Sequence, residues 1–270
     1  MGNLLPGKRC LIVGGTTGLG RAAAKRFLEE GAKLVIAGRN ADKGDEALAG
    51  LRPLGPVAFV ACDAAVPDQV ERLFADALTY LGGLDVLYHV AGISGRRYGD
   101  GPLHECSDAG WHATLEANLT STFLTNRAAV RRFIQQGGPG AILNMASVLG
   151  FSPAPRYFDT CAYAATKGGI ISMSRLAAAR YAAEGIRVNV LAPALIDTPM
   201  SERAVNDPAI LDYLRTKQPL SAGPGRPEDC GDAAVFLCSE AARFITGAVL
   251  PIDGGWCVSE GQYHTGERPA

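Results

Sequence analysis

Seven short apolar runs, separated by helical stretches, divide the sequence almost from end to end. Their residues are continuously apolar rather than alternating, which indicates strands buried on both faces, as in a parallel sheet. Repeated β–α units of this kind predict a doubly wound α/β fold with right-handed crossovers and helices on both faces of a seven-stranded sheet. The predicted strands span residues 10–13, 34–37, 57–61, 85–90, 141–145, 187–191 and 248–252.

The composition and the organisation of the sequence are those expected of a single soluble domain. No linker, low-complexity tract or internal repeat interrupts the 270 residues, so we predict one domain over residues 1–270. The net charge of −1 gives no reason to expect a nucleic acid or an anionic membrane as partner. No apolar stretch reaches the ~18 residues of a membrane span, and the first residues lack the apolar core of a signal peptide. A cytoplasmic location is expected.

Cysteine and histidine usage argues against disulfides and metals. The seven cysteines are scattered, with no C-x-x-C pair, and are typical of reduced thiols in a cytosolic chain. The histidines at positions 89, 104, 112 and 264 form no metal-ligand pattern. We therefore expect no catalytic metal.

A glycine-rich turn, residues 14–20, follows the first predicted strand and opens the first predicted helix, residues 20–30. Glycine permits a tight turn and a close approach of the backbone to a pyrophosphate. The helix N-terminus offers free N–H groups and the positive end of its dipole to the phosphates. The pattern predicts a Rossmann-like dinucleotide site; the alternative is a purely structural turn.

The end of the second strand bears on which dinucleotide binds. An acidic residue there suits the ribose 2′-hydroxyl of NAD, whereas an arginine suits the 2′-phosphate of NADP. This chain has Arg39, so NADP(H) is the preferred cofactor and NAD(H) remains possible, with Arg39 then stacking on the adenine. Asp63, after the third strand, is placed to reach the adenine amino group or to cap a helix.

Tyr163 and Lys167 stand four residues apart in a predicted helix, residues 162–183, and so share one face. An ammonium near a phenol favours the phenolate and lowers its pKa, which is what a general acid/base requires. The pair is a candidate catalytic site. The spacing also arises by chance in many helices, so it needs support from the rest of the chain.

Three irregular segments follow the carboxyl ends of predicted strands, the edge where ligands bind in open α/β sheets: residues 94–102, 151–160 and 194–225. The third is predicted to be a substrate loop that acts as a mobile lid and carries a short helix at residues 209–217. Arg96, Arg97 and Arg156 lie in these loops and are either contacts for an anionic group or solvated side chains.

With these residues assembled, the chain resembles the short-chain dehydrogenase/reductase family over nearly its whole length, and within it the 3-oxoacyl-[acyl-carrier-protein] reductases, carbonyl reductases and alcohol dehydrogenases. The resemblance rests on Gly14 to Gly20, Asp63, Ala91-Gly92, Asn118, Ser147, Tyr163, Lys167, Pro193, Ile196, Thr198 and Asp253-Gly254-Gly255. Departures are Val13, His89 and Ala194, where the family usually has threonine, asparagine and glycine. We interpret His89 as structural.

The resemblance implies a role for each matching residue. Tyr163 is the proton donor and acceptor, Lys167 holds the nicotinamide ribose, and Ser147 hydrogen-bonds the substrate oxygen. Asn118 holds a water of the proton relay; from the residues alone it is only a buried hydrogen-bonding side chain. The implied cofactor contacts are Gly14, Thr16, Thr17, Gly18, Leu19, Gly20, Arg39, Asp63, Ala64, Val90, Ala91, Gly92, Tyr163, Lys167, Pro193, Ile196 and Thr198.

The leading hypothesis is an NADP-dependent oxidoreductase that interconverts a ketone and a secondary alcohol by hydride transfer, with a small-molecule carbonyl or alcohol substrate. The alternatives are an NAD-dependent alcohol dehydrogenase and a non-catalytic nucleotide-binding regulator. The resemblance also implies a homotetramer. Small residues on several sides of the Tyr163 helix, among them Ala165, Gly168 and Ala178, permit close helix approach across an interface.

Overall fold

A computed structural model describes residues 3–260 of the chain; His264 and the ends of the predicted domain, residues 1–2 and 261–270, lie outside this range. Its centre is a seven-stranded sheet in the order β3-β2-β1-β4-β5-β6-β7, parallel throughout. The strands are β1 (Arg9–Val13), β2 (Lys33–Gly38), β3 (Val57–Ala61), β4 (Val86–His89), β5 (Gly140–Met145), β6 (Ile186–Pro193) and β7 (Val249–Ile252). The predicted doubly wound sheet is confirmed.

The strand bounds agree with the sequence prediction to within one or two residues. The largest extension is in β6, which continues to Pro193, two residues beyond the predicted end. Its last residues pair with β7, Ala192 opposite Pro251 and Pro193 opposite Ile252, although prolines have no N–H to donate. The longer strand carries the backbone to the edge of the sheet where the candidate site lies.

Helices cover both faces of the sheet. They are α1 (Gly18–Glu29), α2 (Ala41–Leu51), α3 (Pro67–Leu81), α4 (Asp108–Leu115), α5 (Ser121–Gln136), α6 (Pro155–Phe158), α7 (Cys161–Tyr181), α8 (Glu202–Val205), α9 (Pro208–Lys217) and α10 (Pro227–Cys238). Helices α1, α2 and α10 pack on one face with Cys10 and Ile12 of β1. Helices α3, α5 and α7 pack on the other face with Leu11 and Val13, as the two-residue period of a strand requires.

The predicted substrate loop, residues 194–225, is largely folded. It contains α8 and α9, and a parallel bridge between Ile196 and Gly225 closes its base. Ile210 and Leu214 of α9 are fully buried in a small separate cluster with Trp256. The predicted short helix is therefore confirmed as α9, whereas mobility of the segment remains a prediction. Within residues 3–260, no helix is both long and apolar enough to cross a membrane.

Candidate active site

The glycine-rich turn between β1 and α1 forms one wall of an open cavity. Gly14 has a φ of 94°, and a Cβ on it would lie 2.6 Å from the backbone nitrogen of Ala91, in the turn after β4. A Cβ on Gly20 would overlap the carbonyl oxygen of Gly14. Side chains are therefore excluded from two places where the backbone must come close to the next segment. The resulting cradle, open beside the N-terminus of α1, fits the pyrophosphate of a dinucleotide.

Most of the predicted cofactor residues line this nucleotide cavity. They are Gly14, Thr16, Thr17, Gly18, Leu19, Gly20, Arg39, Asp63, Ala64, Val90, Ala91, Gly92 and Thr198. Tyr163, Pro193 and Ile196 line a second cavity instead, which adjoins the first because Leu19, Thr198 and Met200 belong to both. Lys167, the remaining predicted cofactor contact, lines neither cavity. The structure thus brings all of the predicted cofactor residues except Lys167 to the walls of these two adjoining cavities.

Arg39 and Asp63 lie at the same end of the nucleotide cavity. The Arg39 side chain is 56% exposed, and its guanidinium is 4.0 Å from the Asp63 carboxylate. Asp63 does not cap α3, which begins at Pro67 after Val66; one carboxylate oxygen instead accepts from the backbone N–H of Ala65. Both side chains are therefore available to a ligand at this end.

Tyr163 lies in the first turn of α7 and reaches the second cavity. Asp100, in the loop after β4, accepts hydrogen bonds from the backbone N–H groups of Ala162 (3.0 Å) and Tyr163 (2.9 Å). A carboxylate bound to these N–H groups also interacts favourably with the positive end of the helix dipole. Asp100 therefore fixes the backbone from which Tyr163 extends, although nothing in the sequence marked it.

Ser147, which follows β5, is the polar side chain that acts on the Tyr163 hydroxyl. The Ser147 Oγ also contacts the Pro193 carbonyl oxygen at 3.3 Å and the Leu149 backbone N–H at 3.2 Å. Burial raises the pKa of Tyr163, and Ser147 acts in the opposite direction. The phenol is thus protonated at neutral pH and lines the second cavity.

The expected lowering of the Tyr163 pKa by Lys167 is wrong for this structure. The Lys167 ammonium lies 5.4 Å from the centre of the Tyr163 ring and donates a hydrogen bond to the Met145 carbonyl oxygen at 2.9 Å. It is therefore directed at the end of β5 rather than at the phenol oxygen. Burial lowers the pKa of Lys167 from 10.5 to about 8, because the interior disfavours the charged form of the side chain.

Asn118 ties the Lys167 region to the nucleotide cavity. It lies in a π-helical turn, Glu116–Thr120, an irregularity that is frequent at functional sites. Its side-chain amide accepts from the Ile93 N–H at 2.7 Å and donates to the Thr166 hydroxyl at 3.2 Å. A Cβ on Gly92 would stand 2.9 Å from Asn118 Oδ1 and 3.6 Å from Lys167 Nζ. Glycine there leaves both polar groups close to the cavity wall.

The second cavity has a volume of about 340 Å³ and mostly apolar walls. Val148, Leu149, Phe158, Leu195 and Trp256 supply these walls. The Phe158 ring meets the Trp256 indole edge to face at 5.8 Å. Sequence reasoning missed Trp256, because an isolated tryptophan at the end of the chain carries no local pattern.

Three arginines border the second cavity: Arg96, Arg97 and Arg203. The first two were candidates from the sequence, and Arg203 was missed although it lies in the segment proposed as a substrate loop. Arg156, the third sequence candidate, lines neither cavity; its guanidinium stacks on the Tyr157 ring at 5.1 Å.

Two further polar clusters lie near the site. His89 is fully buried between the hydroxyls of Thr125 (2.8 Å) and Ser121 (3.3 Å), and burial lowers its pKa to about 3. It therefore stays neutral at physiological pH. Asp100, Cys106 and Cys161 bring a carboxylate oxygen and two sulfurs within 4.8 Å of one another. The expectation of no catalytic metal remains a prediction.

Comparisons with known proteins agree with this arrangement. The family model described as enoyl-(acyl carrier protein) reductase matches residues 13–257. Among curated proteins, 2,5-dichloro-2,5-cyclohexadiene-1,4-diol dehydrogenase LinX of Sphingobium indicum is 37% identical over 259 residues, covering 96% of this chain and 99% of the relative. Cis-4-hydroxycyclohexanecarboxylate dehydrogenase of Sinomonas cyclohexanicum is 36% identical, covering 95% and 99% of the two chains.

Among solved structures, a putative 2-deoxy-D-gluconate 3-dehydrogenase from Agrobacterium tumefaciens with bound NADP superposes with a TM-score of 0.82. It is 33% identical, and the match covers 94% of this chain and 98% of that one. These relatives are dehydrogenases, and the match extends over nearly the whole of each chain. The protein is an oxidoreductase that acts on CH–OH groups, and it belongs to the short-chain dehydrogenase/reductase family.

Proposed function

We propose that this protein is an NADP-dependent oxidoreductase that interconverts a ketone and a secondary alcohol, with Tyr163 as general acid/base. The observation that carries the proposal is the position of the Tyr163 phenol. It lines the second cavity, which adjoins the nucleotide cavity, and Ser147 is the polar side chain that acts on its hydroxyl. A proton donor and a hydride source are then available to one carbonyl group.

The residues of the nucleotide cavity would hold the cofactor along its length. The backbone of residues 14–20 would receive the pyrophosphate, Arg39 the 2′-phosphate, and Asp63 the adenine amino group. Thr198, which lines both cavities, and Ile196, which lines the second, would contact the nicotinamide end, and Lys167 the nicotinamide ribose. Bound NADP supplies or accepts the hydride, which is chemistry that no side chain provides.

The protein's own task is to orient the carbonyl and to move one proton. In reduction, Tyr163 donates its hydroxyl proton to the substrate oxygen as the carbonyl carbon gains a hydride. Ser147 donates a hydrogen bond to that oxygen and stabilises the charge that develops on it. In oxidation the Tyr163 phenolate takes the alcohol proton.

The substrate class follows from the second cavity and from the relatives. Two relatives are named for secondary alcohols on six-membered rings, a chlorinated cyclohexadienediol and a hydroxycyclohexanecarboxylate. The cavity walls here are mostly apolar and include the aromatic side chains of Phe158 and Trp256. We therefore propose a cyclic secondary alcohol and the corresponding ketone as the substrate pair.

One observation favours NAD as the alternative cofactor. The Asp63 carboxylate lies 4.0 Å from the Arg39 guanidinium, so it partly compensates the charge that would attract a 2′-phosphate. An NAD-dependent alcohol dehydrogenase with the same catalytic residues is then the second candidate function.

The test is turnover of a panel of cyclohexanones and cyclohexanols with NADP(H) and NAD(H), for the unmodified protein and for Tyr163→Phe. Loss of the phenolic proton should lower kcat by about 10²- to 10⁴-fold while leaving nucleotide affinity unchanged. Tyr80→Phe removes an equivalent hydroxyl outside both cavities and serves as the control. Near-normal turnover in Tyr163→Phe contradicts the assigned mechanism, and a preference for NAD replaces the NADP assignment with the alternative.

A further inference from the structure

Arg96 and Arg203 converge at the second cavity from two separate segments. Arg96 begins the short helical turn Arg96–Tyr98 in the loop after β4, and Arg203 belongs to α8. Both guanidinium groups donate to the same acceptor, the Tyr157 carbonyl oxygen, at 3.3 Å and 3.2 Å. The shared contact holds two positive charges side by side.

The two charges are not neutralised by the protein. Across residues 3–260, neither guanidinium has a carboxylate oxygen within 4.0 Å. Both residues are exposed to solvent. Partial burial of the guanidinium and then the charge of Arg203 lower the pKa of Arg96, and the more distant carboxylates of Asp100 and Asp159 oppose this. A ligand anion between the two guanidinium groups would relieve their repulsion, and each group retains further N–H donors for it.

We propose that Arg96 and Arg203 form an anion subsite that binds the carboxylate of a ring-bearing hydroxy acid or keto acid. The identification of this acid as a substrate rests on the proposed function, because the same cavity must then present its hydroxyl or keto group to Tyr163. Tyr163, Arg96 and Arg203 all line that cavity, with Leu149, Phe158 and Trp256 as its apolar walls. A polar group at each end and apolar side chains at the walls fit a hydrocarbon ring with an oxygen function and a carboxylate.

The size of the second cavity favours a small free acid over an acid joined to a large carrier group. About 340 Å³ lies at the lower end of the roughly 300–1,000 Å³ typical of ligand pockets. A monocyclic acid is of a size that this space can hold.

The neighbouring arginines are engaged elsewhere. Arg97 donates to the Tyr98 hydroxyl at 2.9 Å and lies 4.9 Å from the centre of the same ring. Arg156 stacks on Tyr157 and lines neither cavity. Arg156→Gln therefore removes a positive charge from the same region without removing a group of the subsite, and it is the matched control.

Measuring ligand binding tests the anion subsite independently of catalysis. Calorimetry with saturating NADP⁺ compares cyclohexanecarboxylate with the neutral, similarly shaped cyclohexanecarboxamide; neither ligand carries an alcohol, so no turnover intervenes. The unmodified protein should bind the carboxylate at least about tenfold more tightly, and added salt should reduce this preference. Arg96→Gln and Arg203→Gln should bring the ratio of the two dissociation constants close to one, whereas Arg156→Gln should leave it unchanged.

Because both guanidinium groups bond the Tyr157 carbonyl, the Gln variants are paired with Arg96→Lys and Arg203→Lys. These keep the charge and should retain part of the preference, so a loss in Gln but not in Lys reports charge rather than misfolding. Equal affinities of the unmodified protein for acid and amide would overturn the proposal, as would a preference that survives both Gln substitutions. Tighter binding of cyclohexyl phosphate than of the carboxylate would overturn the assignment of the anion.

Turnover of cyclohexanol and of 4-hydroxycyclohexanecarboxylate is measured in parallel. A carboxylate preference in binding without turnover of either alcohol supports the subsite and contradicts the proposed function. Turnover of cyclohexanol without any carboxylate preference supports the function and overturns the subsite. The two proposals therefore fail through different measurements.

Discussion

Replacement of Lys167 by methionine is expected to stabilise the nucleotide-free protein while removing a group that the proposed mechanism requires. The Lys167 side chain is 3% exposed on α7, and its ammonium donates to the Met145 carbonyl oxygen at 2.9 Å. Among residues 3–260, no carboxylate lies within ion-pair distance of it. Burial therefore acts on this charge without an opposing partner.

The size of the effect follows from the pKa. Burial lowers the pKa of Lys167 from 10.5 to about 8. At about 1.36 kcal/mol per pKa unit, the charged lysine lowers the free energy of unfolding by about 3 kcal/mol at pH 7. Methionine removes this penalty but leaves the Met145 carbonyl oxygen without its donor, which costs roughly 1–2 kcal/mol. The net expectation is a gain of about 1–2 kcal/mol.

The pH dependence has a definite sign. Between about pH 8 and 10.5 the lysine is neutral in the folded protein and charged in the unfolded chain, so the unfolded state binds more protons. The unmodified protein therefore recovers stability as pH rises through this window. The advantage of Lys167→Met should be greatest below pH 8 and should shrink by about 2 kcal/mol between pH 7 and 9.5. Other groups titrate in both proteins and cancel in the difference.

Urea unfolding without nucleotide, at pH 7, 8.5 and 9.5 and at one fixed protein concentration, measures this difference. Lys43→Met is the control, because Lys43 is exposed and its replacement should change the free energy of unfolding by no more than about 0.5 kcal/mol. A Lys167→Met protein that is less stable at pH 7, or a difference that does not vary with pH, would refute the reasoning.

Three further predictions concern the cofactor, the assembly and the substrate loop. The unmodified protein should prefer NADP over NAD by at least about tenfold in kcat/KM. Arg39→Ala should bring the ratio of the two kcat/KM values close to one. Equal values for the two cofactors in the unmodified protein would contradict the assignment. Light scattering should give the mass of four chains, with the exposed side chains of Phe123 and Leu176 as candidates for burial; the mass of a single chain rejects the tetramer. Hydrogen exchange across residues 194–225 should slow when NADP⁺ and substrate bind, whereas strong protection that never changes identifies this segment as scaffold.

The strands were predictable because their signal is local. A parallel strand buried on both faces is continuously apolar, and all six residues of Gly140–Met145, one residue longer than predicted, are buried. The prediction that every strand is buried on both faces is wrong for the two edge strands: only Val57 is buried in β3, and no residue of β7 is. The extension of β6 through Pro193 was not predictable, because it depends on pairing with β7, some sixty residues later in the chain. Helix α1 begins at Gly18, two residues before its predicted start.

In the candidate site, too, the features with a local sequence signal were predicted and those that depend on distant segments were not. The Tyr163–Lys167 spacing and the glycine turn are local patterns, and both led to residues that the structure brings to one edge. The Tyr163 pKa depends on burial by distant segments, so its direction was predicted incorrectly. Arg203 was missed for a similar reason: a lone arginine in a long segment becomes informative only when Arg96 lies beside it.

The geometry of α7 at the site is set largely from outside that helix. Its first turn is held by Asp100 from the loop after β4, and Thr166 by Asn118 from the π-helical turn. The Lys167 ammonium is held by the Met145 carbonyl at the end of β5. Tyr163 and Lys167 therefore share one face because of helical spacing. Their position relative to the two cavities is set by contacts from segments that follow the carboxyl ends of β4 and β5. Substitutions at Asp100 should consequently displace Tyr163 even though Asp100 does not touch the cavity.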